Sequence, residues 1–156
     1  MIIVLKPEAT EREVDHIIDR LRELGLTASD VVVKVSSRPL LAAVLLERGV
    51  PAGQLPALYG VVDKQAKVPP EKFLAMIVEA LAAAGLADPT ATAADLTRLL
   101  KSADLDAVEV SSESGAGEKA TLKTLFATLA DFGVAEYCQF DLGIVRGLAY
   151  YTGAVF

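Results

Sequence analysis

The chain has 156 residues, 53% of them hydrophobic and 23% charged, with a formal net charge of -6. That balance fits one globular domain with a solvated surface and argues against intrinsic disorder. The longest apolar stretches are broken before the ~20 residues of a bilayer span, and evenly spread negative charge disfavours non-specific nucleic-acid binding, which needs clustered lysine and arginine.

Residues 2–5, a short β-branched run closed by Lys6-Pro7, are predicted to form a strand. No basic, apolar and small-residue leader precedes it, so the expected compartment is the cytoplasm. Thr10 and Glu13 have the spacing of a capping box, and Val14, Ile17, Ile18, Leu21 and Leu24 recur at helical intervals up to Gly25, a left-handed stop. Residues 30–36 are predicted as a second strand, which makes 1–36 a βαβ-like unit.

Ser37 and Pro39 open a helix carrying Leu40, Leu41, Val44 and Leu45 and ended by Gly49 and Pro51. Helical spacing continues over 54–67, 70–84 and 91–101, with breaks at prolines and glycines. Residues 111–117, SSESGAG, have linker composition and are expected to be a mobile loop before a helix over 118–132. The period then changes: 135–145 and 150–156 are expected to be extended and to form a β-hairpin that reverses at Arg146-Gly147. The organisation expected is α+β: a unit over 1–36, about five helices over 37–130 and a hairpin over 131–156.

Walker, dinucleotide-binding and nucleophile-elbow motifs are absent, and no His/Cys cluster has metal-ligand spacing. Cys138, alone and without a basic neighbour in sequence, is expected to act as a small hydrophobe. His16 lies among Glu13, Asp15, Asp19 and Arg20 and is expected to be solvated. Between 37 and 73, Arg38, Arg48, Lys64, Lys67 and Lys72 outnumber Glu47, Asp63 and Glu71, which fits either a weakly positive face or a mixed solvated surface. Arg146 at a turn can fork onto a phosphate or carboxylate, and Tyr150 and Tyr151 on a strand face opposite sides. Spacing alone leaves open a pocket, or packed tyrosines beside a surface arginine.

The stretch DFGVAEYCQFDLGIVRGLAYYTGAVF closely resembles the histidine-specific region of histidyl-tRNA synthetases, class II enzymes whose motif reads approximately R-G-L-D-Y-Y-T-G-x-V-F-E. Arg146, Gly147, Leu148, Tyr150, Tyr151, Thr152, Gly153, Val155 and Phe156 match it, while Ala149 stands where aspartate is usual. LGLTASDVVVKVSSRPLLAAVLLERGVP and GVVDKQAKVPPEKF are also similar to that family, so the resemblance covers about residues 25–156. MIIVLKPEATEREVDHIIDRLRELGL instead resembles the N-terminal regulatory segment of DAHP synthase, part of a small ferredoxin-like domain, which suggests a chimera joined near residues 22–27.

By this resemblance Arg146 is the catalytic arginine that contacts the α-phosphate of ATP and the histidine carboxylate. Tyr150 and Tyr151 recognise the imidazole, with Gly147 and Gly153 in the same substrate-binding motif. The helices between about 38 and 130 correspond to an insertion domain near the tRNA acceptor stem. The family's reaction activates histidine with ATP and Mg²⁺ and transfers it to tRNA, which makes histidine and histidine tRNA the implied partners. Class II motifs one, two and three are not visible. The chain is therefore expected to be a fragment or chimera, inactive alone, that holds neither ATP nor Mg²⁺ tightly. The alternatives are a tRNA- or partner-binding helical module, or a non-catalytic subunit of ATP phosphoribosyltransferase. An apolar strand edge over 150–156 implies self-association.

Overall fold

The computed structural model describes residues 32–145, residues 12, 16, 19, 20 and 22–25, and the backbone of 154–155. The expected strand over 2–5 and most of the first helix lie outside the described residues. The described positions at 12, 16, 19, 20, 22 and 23 are helical. That helix stops as its sequence dictates, because Gly25 has φ +68° and its N–H donates to the Arg22 carbonyl at 2.9 Å, a conformation that costs glycine nothing.

Strand β1, Val33–Ser37, is followed by helices α1, Arg38–Glu47, and α2, Leu55–Val62. Then come α3, Pro70–Ala83, α4, Pro89–Lys101, and α5, Glu113–Asp131, before the short strands β2, Cys138–Phe140, and β3, Ala154–Val155. The α+β class and the five helices of the middle segment agree with the sequence. Each long boundary has a local cause. The Ser37 hydroxyl accepts from Leu40 N–H and caps α1; Asp88 does the same for α4 through Ala91 N–H at 2.9 Å, with Pro89 at the first helical position. The helix predicted over 54–67 is shorter. It ends at Val62 and passes through a 3-10 turn at Gln65–Lys67, because the backbone must become extended ahead of Pro69 and Pro70.

Two predicted segments differ from expectation. Residues 111–117 are no mobile linker: α5 begins at Glu113, with Ser112 as its cap. The cause is Glu47, at the end of α1. Its carboxylate accepts both backbone N–H groups of Ser111 and Ser112 and both hydroxyls, at 2.6–3.1 Å. Gly115 then lies so close to α1 that an added Cβ would sit 3.0 Å from Ala43 Cβ, so the glycine serves packing rather than flexibility. Neither relation is visible within seven residues of sequence.

The C-terminal hairpin is the second correction. β2 and β3 do not pair with each other; the sheet order is β2-β1-β3. β1 runs parallel to β2, with Val33 opposite Cys138 and Val35 opposite Phe140, and antiparallel to β3, with Ser36 opposite Val155. β1 thus separates the two strands expected to be neighbours. Its residues Val35, Ser36 and Ser37 are all buried, so both of its faces are covered, as a central strand requires. The outer positions 135–137 and 141–143, expected to be extended, are a 3-10 turn and a turn.

The helices close over one core. Leu40, Leu41 and Leu45 of α1 meet Leu58, Phe73, Ile77 and Leu96 from the next three helices, and Val35 and Phe140 extend that core to the sheet. Phe73 is 1% exposed. Phe73→Ala is expected to cost about 3–5 kcal/mol in a denaturant titration through lost transfer energy and the cavity left behind.

Hydrogen bonds from Ser112 and Ser111 pull the Glu47 carboxyl down to about 2, against a weak opposing effect of burial. Because the folded value lies below the ordinary 4.5, the clamp's contribution is complete above about pH 4.5 and disappears as pH falls through about 2. Glu47→Gln is expected to lower the thermal midpoint at pH 7, and the gap from the parent protein should close as melts are repeated toward pH 2.

Candidate functional site

Arg146, Gly147, Ala149, Tyr150, Tyr151 and Gly153 lie outside the described residues. The structure describes both flanks of that motif. Val145, immediately before Arg146, is 3% exposed within the core, and Ala154–Val155 return alongside Ser36 and Ser37. The described flanks are thus a core-buried Val145 on one side and β3, paired with β1, on the other.

The entry flank is a turn built on Asp141. Its backbone N–H donates to the Val35 carbonyl at 3.0 Å, which extends the β1–β2 ladder by one bond. Its carboxylate accepts Gly143 N–H at 2.9 Å on one oxygen and Lys34 Nζ at 2.7 Å on the other. Ile144 N–H donates to the Asp141 carbonyl at 3.2 Å and closes the turn. An aspartate accepting from the backbone two residues on is an Asx-turn. Gly143 faces Gln65, whose side-chain oxygen occupies the space a Cβ would need. Gln65 in turn donates to the Leu100 carbonyl, in the last turn of α4, at 3.3 Å.

Beside this turn is a cleft of about 580 Å³, walled by Lys34, Gln65, Lys67, Lys101 and Asp141, with Phe73 and Val145 among its apolar lining. Its volume is in the range of small-molecule sites. The charges are largely satisfied in place: Lys34 pairs with Asp141, and Lys67 with Asp63 at 2.6 Å. Each such half-exposed pair is worth no more than about 1 kcal/mol. The turn's backbone bonds and the burial of Val145 thus fix the chain more firmly than the ion pair does.

The expected basic face between 37 and 73 is mostly engaged internally. Arg48 grips Asp95 at 2.7 Å and also donates to the Val44 carbonyl, and Arg38 stacks over the Tyr59 ring at 4.5 Å. Burial opposes ionisation of Asp95, but hydrogen bonds from Arg98 and Arg48 outweigh it and hold this carboxyl below its ordinary value. Burial raises the Tyr59 hydroxyl against the opposing effect of Arg38. A mixed, paired surface describes this region better than a free positive face.

Cys138 is half-buried on β2, and burial raises its thiol above the ordinary value, which suits a small hydrophobe rather than a nucleophile. His16 is exposed on its helix, as expected. Among the described residues no three His, Cys, Asp or Glu side chains gather to hold a metal ion. Asp141, Gly143, Gln65 and Lys34 were not singled out by sequence. The signal was present as Asp-x-Gly, a turn pattern set inside an apolar run that looks extended. The Gln65 and Lys34 contacts are non-local and leave no trace in sequence.

Comparison with known proteins places these features in context. The model of the DAHP synthase ferredoxin-like domain matches residues 1–36. The chloroplastic/mitochondrial histidine–tRNA ligase of Arabidopsis thaliana is 38% identical over 100% of this chain and 31% of its own length. The histidine–tRNA ligase of Natronomonas pharaonis is 32% identical over 97% of this chain and 34% of its own. Residues 1–36 thus fall inside both likenesses. A histidyl-tRNA synthetase from Nostoc sp. PCC 7120 superposes with a TM-score of 0.72 at 19% identity, covering 92% of this chain and 34% of that one. An ATP phosphoribosyltransferase regulatory subunit/histidyl-tRNA synthetase from Bacillus halodurans gives 0.67 at 21%, covering 94% and 38%. At such identities the two structures show a shared fold. The chain is therefore similar along its length to histidine–tRNA ligases, and it spans about a third of the curated relatives it matches.

Proposed function

We propose that this chain carries the histidine-recognising part of a histidine–tRNA ligase, with Arg146 as its catalytic arginine and Tyr150, Tyr151, Gly147 and Gly153 in the substrate-binding motif. The observation that supports it is the 38% identity over the full chain, within which the motif from Arg146 onward sits. A guanidinium fixed beside the histidine carboxylate and the α-phosphate of ATP would stabilise charge developing at phosphorus, a preorganised effect worth about 3 kcal/mol for a single donor. One arginine and a tyrosine pair do not by themselves align two substrates for attack. Recognition, rather than turnover, is the role assigned to these 156 residues.

ATP and Mg²⁺ enter as the ligase's requirements. We infer that this chain alone, in whose sequence class II motifs one, two and three are not visible, holds neither of them tightly. The compartment inferred is the cytoplasm; among the described residues no helix is long and apolar enough to cross a membrane.

A second reading, a non-catalytic subunit serving ATP phosphoribosyltransferase, is favoured by Ala149 in the place of the usual aspartate and by the fold shared with the Bacillus halodurans regulatory subunit/synthetase. Calorimetry with histidine separates the two. The ligase reading expects millimolar-range binding that Arg146→Ala weakens about tenfold, the loss of one charged hydrogen-bond partner, and that Ala149→Asp strengthens. ATP–pyrophosphate exchange should stay at background. Exchange clearly above it would overturn the assignment of recognition without turnover, and absence of histidine binding in every variant would overturn the ligase reading itself.

The helical unit is proposed to meet histidine tRNA weakly, since its arginines and lysines are largely paired. A filter-binding titration should show affinity falling with salt at a slope set by roughly two or three phosphates. A salt-independent signal, or none at low salt, would remove the tRNA from the list of partners.

A further inference from the structure

We propose that the cleft beside the Asp141 turn and a smaller one adjoining it form a binding site for a small monocarboxylic acid with an aromatic or similarly bulky apolar body. The larger cleft, of about 580 Å³, has Val62, Phe73, Ile144 and Val145 in its wall. The smaller, of about 200 Å³, is lined mainly by polar groups, among them Ser102 and Gln139. Lys34, Gln65, Lys101 and Asp141 belong to both walls, so an apolar chamber adjoins a polar one across a shared boundary. Gln139 is the direct partner of Lys34 across β1 and β2, which sets both residues on one face of the sheet. A concave apolar wall with a few convergent polar groups at one end is the ordinary form of a small-molecule site.

The charge of the ligand follows from which groups are already paired. Three lysines and two aspartates line the two clefts. Lys34 is matched by Asp141 and Lys67 by Asp63, while the side chain of Lys101, exposed at the end of α4, has no hydrogen-bond or ion-pair partner among the described residues. One unit of positive charge is left over. A monoanion neutralises it, whereas a dianionic phosphate would exceed it beside two aspartates that repel it. The C-terminal end of a helix is itself a poor place for an anion, but its carbonyls are occupied here: Leu100 accepts from Gln65, and Leu99 from the Ser102 N–H at 3.0 Å. The chain's net charge of -6 gives no long-range attraction, so affinity rests on Lys101 together with burial of the apolar body.

The probe is 2-naphthoate, titrated into the full chain and followed by amide chemical shifts, with neutral 2-naphthamide as its isostere. Binding in the millimolar range or tighter is expected, with the largest shifts at Gln65, Lys101 and Gly143, and 2-naphthamide should bind about tenfold more weakly. Lys101→Met should weaken naphthoate about tenfold and leave naphthamide unchanged, while Lys101→Arg keeps naphthoate within about twofold of the parent. Lys72→Met, which removes an exposed charge outside both clefts, should change neither. Ala66 is an exposed residue in the wall of the larger cleft. Ala66→Trp fills that cleft from the surface and should weaken both probes at least about tenfold; should this variant unfold, the Lys101 series decides alone. Absence of shifts at millimolar naphthoate, equal binding of the two probes, an affinity unmoved by Lys101→Met, or shifts centred elsewhere overturns the proposal. Displacement by equimolar histidine overturns it as well, since the clefts would then take the amino acid rather than an acid with an apolar body.

Discussion

Parallel pairing of β1 with β2 is the constraint from which the other features follow. Two parallel strands cannot be joined by a tight turn, because the chain must travel back along their whole length before it re-enters the sheet. Here that return is made by α1 to α5. Ser37 stands where the sheet becomes helix. It pairs with Ala154 in β3, its hydroxyl caps α1, and the same hydroxyl donates to Glu118 of α5 at 2.9 Å. One buried side chain thereby ties the first helix of the crossover to the last, next to the strand that both flank.

Energetically, the helices are held by apolar burial and oriented by polar clamps. Fully buried side chains such as Phe73 and Leu40 are each worth about 1.5–3 kcal/mol, while exposed ion pairs such as Lys67 with Asp63 fall below about 1 kcal/mol. The clamp of Glu47 on Ser111 and Ser112 differs from these pairs because it satisfies backbone donors at a helix start, where an anion is favoured. It anchors the start of α5 to the end of α1. Such polar ties consume much of the chain's basic charge: Arg48 and Arg98 share Asp95, and Lys123 pairs with Asp106.

How much was legible in the sequence depended on the range of the interaction. Ser37 and Gly25 act on neighbours three residues away, so a capping and a stop signal placed α1 and the end of the first helix, while helical spacing after a proline break placed α4 to within two residues of its start. The motif at Arg146 and the likeness around it were likewise plain in sequence. Ser111 to Gly117 misled because composition reports entropy, while the partner that removes it, Glu47, lies 64 residues away from Ser111. The hairpin misled because adjacency along the chain favours antiparallel pairing, and nothing local says that β1 occupies the space between β2 and β3. Asp141 and Gly143 carried a turn signal that the surrounding apolar residues hid.

The separation between β1 and β2 also bears on the order of folding. Their paired residues are about a hundred positions apart, so aligning them early would close a very long loop for a few ladder bonds. Helices packed on their sequence neighbours, as α3 is on α2 and on α4, meet no such cost and form first. The sheet is then completed last, on a helical surface already in place. A nascent chain would thus hold much of its helical unit before β2, about a hundred positions after β1, has been made and can pair with it.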